Sequence, residues 1–223
     1  MLTIVFDLDG TLIDTAPDLV DTLNVILHGE GLPAVDFAIA RNLIGGGARL
    51  MIERALAAEN RTCTAAEMER LYAAFIAHYA THIADRSRPF PHVTTTLAQL
   101  AASGHRLAVC TNKLEGLAKS LLGALHLVEC FSAVCGQDTF RVQKPDPDML
   151  RFTVRRAGGE PAQAIMIGDS RTDIHTARAA AVPVIAVDFG YSDVPITTLL
   201  PDRTISSFKE LPAAIAGLMA APA

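Results

Sequence analysis

The chain has 223 residues, half of them hydrophobic, with 19 Lys and Arg against 24 Asp and Glu for a formal net charge of −5. That much apolar residue supports a sizeable core and sets disorder aside, while the acidic balance argues against general affinity for nucleic acid or an anionic membrane. The four cysteines (Cys63, Cys110, Cys130 and Cys135) form no CxxC pair, so their spacing offers no zinc site, and Cys110 and Cys135 sit in apolar runs as expected of buried free thiols in a reducing compartment.

In chain order, the first predicted element is a strand over 2–7 that runs straight into Asp7-Leu8-Asp9-Gly10-Thr11. From about 15 to 85 the pattern is helical only. Thr15 is placed to cap a helix with Pro17 in its first turn, and Leu19, Val20, Leu23, Ile26 and Leu27 form its apolar stripe. Gly31 and Pro33 end that helix. Thr64 and Glu67 make a capping-box pattern before Met68, Leu71, Phe75, Ile76 and Tyr79. Four more strands are predicted over 106–111, 132–136, 164–169 and 183–188, rich in Val, Ile and Ala without clean alternation, as suits strands covered on both faces. Helices separate them. One follows Thr111, with Asn112 as its expected N-cap, and another follows Asp146-Pro147. The tail from Leu211 reads as a closing helix.

Strand and helix in alternation indicate an α/β fold with a doubly wound open parallel sheet, into which an all-α segment is inserted. The expected division is an α/β core of 1–14 and 87–223 and a helical insert of 15–86. No basic region precedes the short N-terminal apolar run, and no stretch is long enough to span a bilayer, so a soluble cytoplasmic protein without membrane or nucleic-acid partners is expected. Monomer and homodimer both remain open.

Ligands of such sheets sit beyond the carboxyl ends of the strands, and four of these ends carry chemistry. Asp7 and Asp9 close the first strand. A carboxylate held there can bind a metal or attack a phosphoryl group. Thr111 and Asn112 close the second strand, where a hydroxyl, an amide and backbone N–H groups can cradle phosphate, although either residue alone reads as a helix cap. Lys144, between Gln143 and Pro145, follows the third strand; a lone loop lysine is ordinarily solvated, and its place in the sheet is what raises it. Asp169 and Asp173 follow the fourth strand, four residues apart at a helix start that would favour acids in any case. Together these oxygen donors suit Mg2+ rather than a soft metal, and the lysine and hydroxyl suit the remaining phosphoryl oxygens. Two further features fall in the helical segment. Gly45-Gly46-Gly47 lacks the strand and the Gly-Lys-Ser ending of a phosphate loop and reads as a cap turn or substrate loop, with Arg49 just beyond it. His78 and His82 are spaced as metal ligands on a helix but fit a solvated face.

The order Asp7-Leu8-Asp9-Gly10-Thr11, Thr111-Asn112, Lys144-Pro145 and Gly168-Asp169…Asp173 resembles the four motifs of the haloacid dehalogenase superfamily of phosphohydrolases, and the helical insert resembles that superfamily's type 1 cap. More narrowly, Ile44-Gly45-Gly46-Gly47-Ala48-Arg49, Glu53-Arg54-Ala55-Leu56 and Phe189-Gly190-Tyr191 resemble stretches of bacterial phosphoglycolate phosphatases. The resemblance implies Asp7 as the nucleophile forming an aspartyl phosphate, and Asp9 as the acid and then the base. It implies that Asp7, the Asp9 backbone carbonyl and Asp169 hold Mg2+ with support from Asp173, and that Thr111, Asn112 and Lys144 bind the transferring phosphoryl group. The expected substrate is a small phosphorylated metabolite, best 2-phosphoglycolate, with a different metabolite, a sugar phosphate or pyrophosphate, as the alternative, ahead of a phosphomutase or a metal-independent dehalogenase. Gly46, Gly47 and Arg49 are the expected determinants of the leaving group, Arg49 being read either as the partner of a substrate carboxylate or as a surface arginine. Gly46, His92 and Ala181 depart from residues common in such enzymes: Gly46 stands for a frequent asparagine, and His92 and Ala181 for frequent glycines.

Overall fold

The opening run folds as strand β1 (Thr3–Phe6), buried along its whole length. Its side chains leave opposite faces of the sheet, Ile4 and Phe6 entering one apolar cluster and Val5 another. The structure, a computed structural model, describes residues 1–37, 44 and 46–220. A short antiparallel ribbon of β2 (Ile13–Asp14) and β3 (Arg88–Pro89) follows β1 in space. The remaining strands are β4 (Arg106–Cys110), β5 (Ala133–Cys135), β6 (Ala164–Gly168), β7 (Val184–Val187) and β8 (Arg203–Ile205). With β1 they form one six-stranded sheet of order β5-β4-β1-β6-β7-β8, parallel throughout. The chain therefore reverses its direction of travel across the sheet at β1, with Val5 opposite Ala108 on one side and Met166 on the other.

The five expected strands are present. The sixth, β8, is the addition: three residues at the sheet edge, Arg-Thr-Ile, too short and too mixed in character to stand out as a run.

Alternate strand residues sort onto two faces of different character. Ile4, Phe6, Leu107, Val109, Ile165 and Ile167 face α4 (Val93–Ala102), α5 (Glu115–Ala124) and α8 (Leu211–Ala220). Val5, Ala108, Cys110, Met166 and Ala186 face α6 (Pro147–Arg156) and α7 (Arg171–Ala180). Each large side chain contributes about 1.5–3 kcal/mol by leaving water. Truncating Phe6, whose ring lies against Phe131 and Phe208, would cost about 3–5 kcal/mol. The expected cap at Asp146 forms, its carboxylate accepting from the Asp148 N–H.

Between β2 and β3 lie α1 (Ala16–Gly29), α2 (Ala48–Ala58) and α3 (Ala65–Thr81), which share a third cluster built on Leu19, Leu23, Leu27, Met51, Ile52, Leu71 and Phe75. The Thr64–Glu67 capping box forms as predicted. Thr15 does occupy the N-cap position of α1, but its hydroxyl makes no capping bond: Pro17, second in the helix, has no N–H to give it, and the Ala16 N–H donates to the Tyr191 hydroxyl at 2.9 Å. Where the chain enters and leaves this helical layer, the Asp18 carboxylate accepts from the Arg86 N–H (2.9 Å), the Ser87 N–H (2.8 Å) and the Ser87 hydroxyl (2.6 Å). Among the described residues no helix is long and apolar enough to cross a membrane, and all four cysteines are free.

Candidate active site

Asp7 sits one residue beyond β1 and Asp169 one residue beyond β6, so two adjacent strands deliver their carboxylates to one point. Asp173 joins them from the first turn of α7. Carboxylate oxygens of the three lie within 4.8 Å of one another. Lys144 reaches in from the loop after β5, with Nζ 2.8 Å from Asp7 Oδ1 and donating to Asp173 Oδ1 at 2.6 Å. The remaining Asp173 oxygen is bound by the Ser170 hydroxyl at 2.6 Å and the Ser170 N–H at 3.1 Å, closing a capping box at the start of α7. Both Asp173 oxygens are thus engaged, and Asp173 fixes the direction of Lys144. Asp169 accepts from the Thr11 hydroxyl (2.9 Å) and the Tyr191 N–H (2.7 Å). Gly10 is required beside it: its φ is +82°, and a Cβ there would stand 2.4 Å from Asp169 Oδ2.

Burial pushes the Asp7 carboxyl above its usual range, and the Lys144 ammonium opposes that shift without cancelling it. Burial, followed by the charges of Asp173 and Asp7, likewise raises Asp169. Burial works against the charge on Lys144 too, but Asp173 and Asp7 outweigh it and hold the ammonium above its ordinary value. Two carboxylates held away from water and close together are destabilised as anions. Asp7 Oδ1, despite its nearness to Lys144, has no well-directed hydrogen bond. A cluster of hard oxygen donors with an orphaned buried oxygen fits a small divalent cation.

Thr111 follows β4. Its backbone N–H donates to the Cys135 carbonyl at 3.0 Å, and its buried hydroxyl oxygen accepts from the Lys113 N–H at 3.1 Å. Asn112 departs from expectation. It does not cap a helix, since α5 starts three residues later with Leu114 at the cap position. Its amide is spent on the backbone of Lys144 instead, donating to the carbonyl at 3.0 Å and accepting from the N–H at 2.9 Å. The side chain expected to meet phosphate therefore holds the backbone of Lys144, the other residue expected to do so.

Asp9 faces a partner that the motifs did not single out. Lys113 Nζ lies 3.0 Å from each of the Asp9 carboxylate oxygens and 4.6 Å from the centre of the Tyr79 ring, which comes from α3. Burial disfavours the Lys113 charge, and Asp9 with Tyr79 more than restores it. The Tyr79 hydroxyl is buried and makes no well-directed hydrogen bond, and burial, opposed in part by the nearby Lys113 ammonium, pushes that phenol up to about 12. In sequence Lys113 carries no motif of its own, and Tyr79 stands as one more apolar position on the stripe of Phe75. The available signal was the spacing of Lys113 from Thr111, which sends it back over the strand ends.

A small cavity of about 60 Å³ opens over these groups, between the strand ends and the helical layer. Asp7, Asp9, Thr111, Asn112, Lys113 and Lys144 form its polar floor, and Leu19, Ile44, Met51, Phe75, Ile76 and Tyr79 are among its walls. Gly47, with φ +86°, also lines it and approaches the Asn112 carbonyl so closely that a Cβ would be in van der Waals contact. Gly46 packs on Leu50 instead and is not in this wall. Arg49 is not in the wall either: it pairs with Glu69 at 2.7 Å and lies over the Tyr72 ring. Gly45 falls outside the described residues. The His78 and His82 rings stack on each other 4.2 Å apart, His78 Nδ1 is bonded to the Thr22 hydroxyl, and neither histidine belongs to the acidic cluster found among the described residues.

The haloacid dehalogenase-like hydrolase family model matches residues 4–187, a span that takes in all four strand ends described above. The chain belongs to that family. It is 51% identical over 208 residues to a phosphoglycolate phosphatase of Mesorhizobium japonicum, covering 93% of this chain and 92% of that one. It is 46% identical over 217 residues to a phosphoglycolate phosphatase of Caulobacter vibrioides, covering 97% and 92%. A crystal structure of a predicted phosphoglycolate phosphatase from Haemophilus somnus superposes with a TM-score of 0.89 at 30% identity, over 96% of this chain and 98% of the other.

Proposed function

We propose that this haloacid dehalogenase-like hydrolase is a Mg2+-dependent phosphomonoester hydrolase that converts 2-phosphoglycolate to glycolate and phosphate. The observation that carries the reading is the pairing of a buried, poorly satisfied Asp7 carboxylate with Lys144 at 2.8 Å on the floor of a small cavity, with Asp9 two residues on. The substrate follows from the relatives named above, with which the chain shares nearly its full length.

Asp7 attacks phosphorus, forming an aspartyl phosphate as the bond to the ester oxygen breaks. Asp9 gives that oxygen its proton. Asp9 then takes a proton from a water that attacks phosphorus, which releases inorganic phosphate and restores Asp7. Lys144 and Thr111 offset the charge on the transferring group. Asn112 and Asp173 act through Lys144, one fixing its backbone and the other its ammonium. Asp7, Asp169 and the Asp9 carbonyl would hold Mg2+, with Asp173 behind them, and the ion would neutralise charge among the carboxylates and phosphoryl oxygens. Residues 15–86 serve as a cap over the core of 1–14 and 87–223, excluding water from the cavity. The four free cysteines support a cytoplasmic setting for this chemistry. Phosphate release measured across a panel of phosphorylated metabolites, ranked by kcat/KM with and without Mg2+, tests the reading; a higher value for a sugar phosphate or for pyrophosphate than for phosphoglycolate would overturn the substrate.

A further inference from the structure

We infer that Lys113 and the Tyr79 hydroxyl together bind the carboxylate of the leaving group, making the enzyme selective for phosphomonoesters of short 2-hydroxy acids. This rests on the phosphatase reading above and extends it to the part of the substrate that does not react.

Among the described residues, Lys144 and Lys113 are the cations lining the cavity. Lys144 is committed to Asp7 and Asp173, where the phosphoryl group would sit. Lys113 is differently placed. An ammonium has three N–H donors, and the contacts of Lys113 to the two Asp9 oxygens leave capacity for one more acceptor. Its ammonium faces the Tyr79 ring, whose hydroxyl makes no well-directed hydrogen bond and keeps its O–H to donate, although the residue is only 1% exposed. A buried hydroxyl left unpaired in a ligand cavity marks a position that a polar ligand atom completes. Of the other polar side chains in the wall, Gln137 and Tyr72 are bonded to each other. The walls beyond are apolar, and Arg49 is held by Glu69 outside them.

Distance along the substrate agrees. Asp9 addresses the ester oxygen, and Lys113 is one hydrogen bond from Asp9. A carboxylate one carbon from the ester oxygen would on this arrangement lie on the Lys113 side of the cavity. The carboxylate would accept from Lys113 and from the Tyr79 O–H, so Tyr79 links leaving-group recognition to the helical layer from which it comes.

The test compares kcat/KM for phosphoglycolate with that for ethyl phosphate, which lacks the carboxylate. It uses the full-length Mg2+-loaded protein as wild type, Tyr79→Phe, Lys113→Gln and Lys113→Arg. Wild type should prefer phosphoglycolate. Tyr79→Phe and Lys113→Gln should each lower the ratio about ten- to a hundredfold, and Lys113→Arg should recover part of it. Calorimetry gives a second readout: affinity for 3-phosphonopropanoate should fall by a similar factor in Tyr79→Phe while affinity for inorganic phosphate holds. If Lys113→Gln does not fold, the Tyr79→Phe ratio and affinity decide. A preserved ratio in Tyr79→Phe and in whichever Lys113 variants fold would overturn the inference and leave the phosphatase reading standing. No preference for phosphoglycolate in wild type would overturn the substrate reading and this inference together.

Discussion

The sheet core and the helical layer treat their charges in opposite ways. In the core, Asp7 and Asp169 are buried and crowded, and both are held above the usual carboxylate range. In the layer, Glu30 is pulled down to about 2, first by its hydrogen bond from Arg70 and then by that from Arg61, and Glu67 and Glu69 are lowered by hydrogen bonds from Thr64 and Arg49. Charges that stabilise a fold are arranged to be satisfied. Those at the strand ends are satisfied only in part, which is the condition of groups kept for a ligand and for chemistry. The contrast also separates Arg49 from Lys113. Both are cations near the cavity, but Arg49 is closed into an exposed pair with Glu69, whereas Lys113 stays on the cavity floor.

The sharpest way to break this comparison is to remove one charge from the core. Asp7→Asn should fold, because it relieves a buried anion, yet turnover should drop by roughly three to six orders of magnitude, the scale of losing a nucleophile. Near-wild-type kcat with an unchanged melting temperature would mean that the crowding serves some other end. Removing the metal comes next. Chelation should abolish phosphate release, and Mg2+ should restore it and raise Tm. The pH dependence has a definite sign. Asp7 and Asp169 are raised in the folded state, so their contribution to stability is complete below the unfolded value near pH 4 and is lost as pH rises through the folded values. Melting curves of the metal-free protein should therefore fall as pH climbs above the ordinary carboxylate range, and Mg2+ should flatten that fall.

A smaller effect is expected from Asn112→Ala, which frees the backbone of Lys144 without touching its charge. Loss of two hydrogen bonds at about 0.5–1.5 kcal/mol each should lower kcat about ten- to a hundredfold. If the loss falls on KM instead, Asn112 meets substrate directly. The smallest effect belongs to the layer. Glu30→Gln should cost about 0.2–1 kcal/mol at neutral pH, little for two partners because such pairs lie near the surface. Glu30 is lowered, so its contribution is present above the ordinary glutamate value and lost as pH falls toward 2, the reverse of the core. Urea melts of wild type and variant should converge at that end. Convergence at high pH would contradict the comparison.

The sequence revealed what depends on strand ends. Buried apolar runs located five strands to within a residue or two, and the polar residues that close four of them are the ones that meet in space. It concealed what depends on the direction of a side chain. Asn112 has the composition of a cap, but β4 and the Lys144 loop lie close enough for its amide to cross between them. Thr15 has the composition of a cap as well, yet its hydroxyl makes no capping bond, and the Ala16 N–H beside it goes to a tyrosine 175 positions further on. Lys113 and Tyr79 come from different layers, and no periodicity within either segment records their approach. The departures at His92 and Ala181 acquire a reason: both residues sit in the left-handed region, at φ 70° and 57°, where a glycine would be at ease.

Asp18 carries a consequence for how such a protein can be rebuilt. By gathering Arg86 and Ser87 to the foot of α1 it brings the two ends of a long detour together, while β2 pairs with β3 just beneath. A detour that departs and returns at one spot leaves the strand order undisturbed, and lengthening or shortening it costs little in chain entropy. The helices between Asp14 and Arg88 are in that sense a cassette. Another set of helices spliced between the same two residues would present new walls to an unchanged phosphoryl site, and specificity could be exchanged without renegotiating the catalysis.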